Sequence, residues 1–379
     1  MLAAGEGVER PKVVLITDPG PDPDDVKAII VLNLLRLQSA LADVCAVIAN
    51  GGGVPLKRAR LARKVLDHLG MVDVPVGIGS RGTAVLESKH EYDLDGVFRD
   101  EHCDSRITSG YSLLLRVLEA ASTSSITVII ISSLRDMADI IDAHEDLVLE
   151  KVKGITVQGG MTYHEASGRW LPDDSSNNLF DPDAAARVYD FCTSKGVPLV
   201  VVSRNAVPMV PGSIASKHAR DAVVSPLMEY VSNAQLLGLK GLWQRLCAGM
   251  LPPRCTKRWF FQTFCSTACA AVDFDALDTA DDISHLLDGS VKPYDVVAVL
   301  AAIPKTMAMF PQALVVESGG VLHRMYATDQ HAPSLSYLVT VLDAAYTAAN
   351  EQHTRESVYD TPPLLKRFLY AENGGSMYS

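Results

Sequence analysis

The chain has 379 residues, 48% of them apolar, 21% charged and 6% aromatic, and its formal net charge is 34 − 45 = −11. That length and composition suit one soluble globular protein with a sizeable core. The acidic balance, with no run of Lys or Arg, argues against a nucleic-acid partner, and no apolar stretch approaches the roughly 20 residues of a membrane helix.

The opening "MLAAGEGVERPK" lacks the basic start and long apolar stretch of a signal peptide. Seven cysteines (Cys45, Cys103, Cys192, Cys247, Cys255, Cys265 and Cys269) are irregularly spaced. Cys265 and Cys269 stand one helical turn apart, which suits a buried helix face better than a zinc site. These features point to reduced thiols in the cytosol or nucleus, with a cytoplasmic protein as the expectation.

Along the chain, short β-branched runs alternate with helical stretches, the pattern of a mainly parallel central sheet flanked by helices. Predicted strands are "KVVLIT" (12–17), "DVCAVIA" (43–49), "VPVGIG" (74–79), "ITVIIIS" (126–132), "KGITVQ" (153–158) and "VPLVVVS" (197–203). The helices between them are "DDVKAIIVLNLLRLQSA", "PLKRARLARKVLDHLG", "SGYSLLLRVLEAAST", "LRDMADIIDAHEDLV" and "PDAAARVYDFCTSK". Beyond about residue 204 the pattern becomes helical and irregular, and a strand pair follows around "ALVVESGG" and "VLHRMYAT", joined by Gly-Gly. The economical organisation is an N-terminal tail (1–11), one domain with a helical elaboration (12–370) and a C-terminal tail (371–379).

The chemistry begins behind the first strand, where "TDPGPDPDD" gathers Asp18, Asp22, Asp24 and Asp25 at a strand's carboxyl end, the ligand-binding edge of a parallel sheet. Asp22 can cap the following helix, with Pro23 as its first residue. The helix dipole helps each carboxylate by only about 1 kcal/mol or less, too little to hold several of them ionised together. A hard divalent cation, Ca²⁺ above all, would do so; a solvated, over-acidic helix cap is the other reading of these residues alone. Far away, Asp295 opens the apolar helix of "VKPYDVVAVLAAIP" and could close a metal site from the opposite side or simply cap its helix.

Taken in order, the motifs resemble the nucleoside hydrolase family (inosine–uridine-preferring nucleoside N-ribohydrolases). The family's D-T-D-P-G-x-D-D-A-x-A-I is matched by "ITDPGPDPDDVKAI", with Ile16 for the first aspartate and two extra residues before the Asp-Asp pair. "VPVGIGS", "IISSLRDMADII", "ITVQGGM", "SSNNLFDPDAAARVY" and "PYDVVAVLAAIP" match further family segments over roughly residues 12–330. The resemblance implies Ca²⁺-dependent hydrolysis of an N-ribosidic bond to free base and ribose, in a homodimer or homotetramer acting on a small nucleoside-like molecule. It implies that Asp18 binds the metal and acts as general base, and that Asp25, Asp295 and the backbone carbonyl of Arg135 complete the metal site. It also implies that Asp24, Asn50, Asn177, Gln158 and Asp295 face the ribosyl substrate.

There are departures from the family pattern. Tyr294 replaces the histidine that often protonates the leaving group, Ser175-Ser176 replaces a Glu-Phe pair, and Gln158 replaces a methionine. A phenol is a weaker acid than imidazolium. These changes suggest a modified or phosphorylated substrate, or a catalytically weak protein that binds a ribosyl ligand or a protein partner. A phosphatase of the haloacid dehalogenase type would need D-x-D after the first strand, where Asp18 is followed by Pro19 and Gly20.

Among the remaining candidates, Arg204 and Asn205 stand at a strand end and could face the pocket. Trp259 or Phe260 of "KRWFFQTFC" could stack on a base, although core packing is the plainer reading. His68, His90, His164 and His323 read as surface residues, and Gly51–Gly53 lack the Gly-Lys-Ser/Thr of a phosphate loop.

Overall fold

The first strand, β1 (Lys12–Thr17), turns Val13 and Leu15 to one side and Val14 and Ile16 to the other, all four fully buried. A strand apolar on both faces needs helices above and below it. The computed structural model supplies them and describes residues 10–20, 22–39, 41–82, 101–220, 225–251, 253, 255–265, 273, 275–279, 281–287 and 290–359. The elements follow as α1 (Asp24–Ser39), β2 (Asp43–Ala49), α2 (Pro55–His68), β3 (Val76–Ile78), β4 (Ile107–Ser109), α3 (Gly110–Ala120) and β5 (Ile126–Ile130). Next come α4 (Arg135–Lys151), β6 (Val152–Gln158), β7 (Met161–His164), β8 (Arg169–Pro172), α5 (Ser176–Leu179), α6 (Pro182–Lys195) and β9 (Leu199–Val202). The chain continues through β10 (Val210–Pro211), α7 (Ser213–His218), α8 (Pro226–Cys247), α9 (Lys257–Phe264) and β11 (Ser290–Val291). It closes with α10 (Tyr294–Ala302), α11 (Pro304–Met307), β12 (Leu314–Ser318), β13 (Val321–Tyr326) and α12 (Leu335–Tyr359).

The central sheet has nine strands in the order β12-β13-β9-β6-β5-β1-β2-β3-β4, parallel throughout except for β12 against β13. One apolar layer packs α1, α2, α10 and α12 onto one face, and a second packs α3, α4 and α6 onto the other. A third cluster, Trp243, Phe260, Phe261, Cys265, Ile283 and Leu286, builds a separate small core under α8 and α9. Phe260 is fully buried there and packs at 5.3 Å on Trp243, the core role rather than the base-stacking one.

Every predicted strand is present, several with trimmed ends, and the predicted Gly-Gly hairpin is β12–β13. Three further features have weak signals: β4 is three residues long, β7–β8 is a largely exposed hairpin, and α12 runs from an apolar first half into the polar "NEQHTRES". Helix α1 begins at Asp24, one residue later than expected: Asp22 Oδ1 accepts the Asp24 N–H at 3.1 Å, and the Pro23 carbonyl accepts the Lys27 N–H at 2.9 Å.

His323 corrects the surface reading. It is fully buried, its Nδ1 accepts the Leu199 N–H at 3.2 Å, and its Nε2 meets the Ser318 carbonyl at 3.1 Å. Burial lowers its pKa, so it is a neutral strap between strands. Helix α9 ends at Phe264, with Cys265 extended and buried. Five cysteines, Cys45, Cys192, Cys247, Cys255 and Cys265, are free thiols. Pro21, His90, Cys269, most of the N-terminal tail and residues 360–379 lie outside the described residues.

Candidate active site

Strand β1 lies between β2 and β5, where the order of connection reverses. Such a switch point leaves a crevice at the carboxyl ends of the strands, the usual ligand site of a parallel sheet. The acidic loop emerges there. The Asp25 Oδ1 accepts the Thr17 hydroxyl at 2.5 Å and the Asp18 N–H at 2.9 Å, which folds the start of α1 back over the end of β1. Beneath the loop is Arg58 of α2, a guanidinium only 3% exposed. Its Nη1 donates to the Asp18 carbonyl, donates to the Gly20 carbonyl at 2.5 Å, and lies 3.3 Å from Asp18 Oδ2. The chain makes room for it: a Cβ on Gly52, which has φ +62°, would strike the Arg58 guanidinium. Sequence reading missed Arg58, because a lone Arg in a basic helix carries no motif.

The opposite wall comes from α10. A two-residue ladder, β10 against β11, pairs Val210 with Val291 and Pro211 with Ser290, and so delivers the helix start to the crevice. The Asp295 N–H donates to Asp24 Oδ2 at 3.1 Å, while Asp24 Oδ1 is buried with no hydrogen-bond partner. Four carboxylates thus share one low-dielectric space. Burial raises the pKa of Asp18 well above the usual carboxylate range, with Asp25 adding to the rise and Arg58 opposing it. Burial and the charges of Asp25, Asp24, Asp18 and Asp22 do the same to Asp295. Asp24 is pushed up to about 7, chiefly by burial and against the pull of Lys27. Asp25 is pushed up to about 6, again by burial, with the Thr17 and Asp18 hydrogen bonds holding it down.

Other expected residues line the same edge. Asn50, at the end of β2, donates Nδ2 to the Ser133 carbonyl at 2.9 Å and to Asp136 Oδ2 at 2.7 Å, leaving its buried Oδ1 unpartnered. Asp136 is itself buried and held by the Ser80 N–H at 2.8 Å and the Ser80 hydroxyl at 2.9 Å. It is a second residue that sequence reading passed over, although it sits inside the quoted "LRDMAD". Asn177 donates to the carbonyl of Gln158 at 3.0 Å and to its Oε1 at 2.7 Å, so these two form one unit at the end of β6. The Arg135 guanidinium turns to Asp181, with both contacts at 2.7 Å, leaving its backbone as the part that the metal expectation concerns. Tyr294 is partly buried, and burial together with Asp24 and Asp22 raises its pKa to about 12.

The chain matches the inosine-uridine preferring nucleoside hydrolases over residues 13–352. It belongs to that family. No curated protein matches it. Among solved structures it is similar to the type III effector protein XopQ complexed with adenosine diphosphate ribose, at 26% identity and TM-score 0.73, covering 90% of this chain and 94% of that one. It is also similar to a plant nucleoside hydrolase (18% identity, TM-score 0.54, 90% of this chain and 100% of that one). An inosine-guanosine nucleoside hydrolase gives 16% identity and TM-score 0.55, over 89% of this chain and 99% of that one. The last two likenesses speak for the nucleoside hydrolase fold alone.

Members of the family typically bind a metal ion, and the donor set here suits a hard one: carboxylate oxygens, one of them buried and unpartnered at Asp24. Among the described residues, no three acidic, histidine or cysteine side chains stand close enough to hold a metal as placed. Near the Gln158–Asn177 pair, the Ser175 Oγ is buried without a hydrogen-bond partner among the described residues.

Proposed function

We propose that this protein hydrolyses the N-glycosidic bond of a ribosyl compound. One observation carries the reading: Asp18, Asp24, Asp25 and Asp295 are gathered at the switch point of the sheet, where burial raises the pKa of all four. Such a cluster is destabilising by itself, and it suits a ligand that brings hydroxyl donors and develops positive charge. Cleavage through an oxocarbenium-like ribosyl transition state supplies both.

In this mechanism Asp18, the most exposed of the three first-loop ligand candidates, takes the proton of the attacking water. Asp24 Oδ1 and Asn50 Oδ1 accept sugar hydroxyls, and the Gln158–Asn177 pair borders the sugar. Tyr294 keeps its proton at neutral pH and offers the departing base a hydrogen bond. Ca²⁺, if bound by Asp18, Asp25, Asp295 and the Arg135 carbonyl, would lower the pKa of a water and grip the ribose hydroxyls. The reading includes a cytoplasmic homo-oligomer; among the described residues no helix is long and apolar enough to cross a membrane.

A second reading is a protein that binds a ribosyl ligand with little turnover. Tyr294, held as a phenol to about 12, is a poor proton donor to a leaving base, and the similarity to XopQ complexed with adenosine diphosphate ribose favours this reading. The discriminating experiment incubates the protein with ribonucleosides, 5′-nucleotides and Ca²⁺ and measures reducing sugar, with Asp18→Ala as control. Release well above the control supports hydrolysis. Release no greater than the control, with calorimetric binding intact, leaves the binding reading standing alone.

A further inference from the structure

The crevice has a basic end that hydrolysis of a plain nucleoside leaves without a task. Arg204 follows β9 two residues after Val202, which pairs with Gln158 at the end of β6. Lys292 arrives from the β10–β11 ladder, and its Nζ donates to the Arg204 carbonyl at 3.0 Å while lying 5.9 Å from the centre of the Tyr294 ring. Burial and the neighbouring Arg204 charge both lower the Lys292 pKa, so the two cations are held together against their repulsion. Arg204 meets a carboxylate at Asp174, 2.8 Å away, on a side chain that is 70% exposed. An exposed pair of that kind exchanges readily with a competing anion.

Tyr294 joins the two ends: its ring lies beside Lys292, and the next residue, Asp295, donates its N–H to Asp24 Oδ2 at 3.1 Å. From β1 to β9 is three strand spacings, roughly 14 Å, and the Gln158–Asn177 amides lie between. The crevice is therefore bipolar, with hydroxyl acceptors at one end and cations at the other. We propose that Lys292 and Arg204 bind a phosphate group of the ligand, so that this chain takes a phosphate-bearing ribosyl compound in preference to a free nucleoside. An arginine fork and a lysine point charge suit a phosphate or diphosphate. The proposal rests on the reading that the acidic end holds ribose.

Calorimetry tests it with adenosine, AMP and ADP-ribose against wild type, Lys292→Gln, Arg204→Gln, the double variant and the charge-preserving Lys292→Arg. The phosphorylated ligands should bind wild type tighter than adenosine. That preference should fall by about ten-fold in each single Gln variant, as for loss of a charged hydrogen bond, and Lys292→Arg should keep most of it. Thermal melts confirm that each variant folds. Adenosine binding with no preference for phosphate, or a preference that survives in the double variant, overturns the proposal and leaves the ribose reading intact. Wild type that binds none of the three overturns both.

Discussion

Asp136 has no place in a list of ligand-contacting groups, yet it decides how Asn50 presents itself. With Nδ2 held by Asp136 and the Ser133 carbonyl, only Oδ1 of Asn50 is left for a sugar hydroxyl. Removing the carboxylate in Asp136→Ala should destabilise the fold by roughly 1.5–3 kcal/mol, the usual contribution of a hydrogen bond to a charged group. It should also raise KM more than it lowers kcat, which melts and steady-state kinetics would read; an unchanged KM would mean that Asn50 orients without it. At this scale the sequence exposed the groups that carry charge within a motif, namely Asp18, Asp24, Asp25 and Asp295. It hid Arg58 and Asp136, whose importance comes from elements 40 and 86 residues away in sequence from the atoms they hold. Nothing local marks such a contact.

At the scale of elements, the legible parts were those with long apolar runs. Strands β1, β2 and β6 are buried nearly end to end, and their β-branched runs announced them. The β10–β11 ladder is two residues on each side and gives no periodicity, yet it delivers α10 and Lys292 to the crevice. The edge hairpin β12–β13 was legible through its turn, and its docking depends on glycine twice. Gly196 caps α6 with φ +77°, and Gly319 has φ +57°; a Cβ on either would run into the backbone of the other. Gly196→Ala should therefore cost on the order of 2 kcal/mol or more, from left-handed strain plus the collision, seen as an earlier urea midpoint. Stability equal to wild type would show that the hairpin can shift away freely.

For the whole molecule, the buried acids set a pH dependence of the metal-free protein. Their folded pKa values lie above the unfolded ones, with Asp24 at about 7 and Asp25 at about 6. Such groups destabilise the fold when ionised, so the penalty is complete above the folded pKa and is relieved as pH falls through it. In chelator the melting temperature should rise on acidification from about pH 8 to about pH 5, and Asp24→Asn should flatten that slope. A melting temperature that falls steadily over the same window would mean that the cluster is not strained.

Arg58 bears on what remains when everything else is stripped away. Its guanidinium is sealed beneath the loop with its donors on the Asp18 and Gly20 carbonyls. The loop's shape therefore has an anchor of opposite charge built into the protein itself, held on backbone carbonyls as well as on a side chain. A substitution of an acidic side chain above it leaves those two backbone contacts in place.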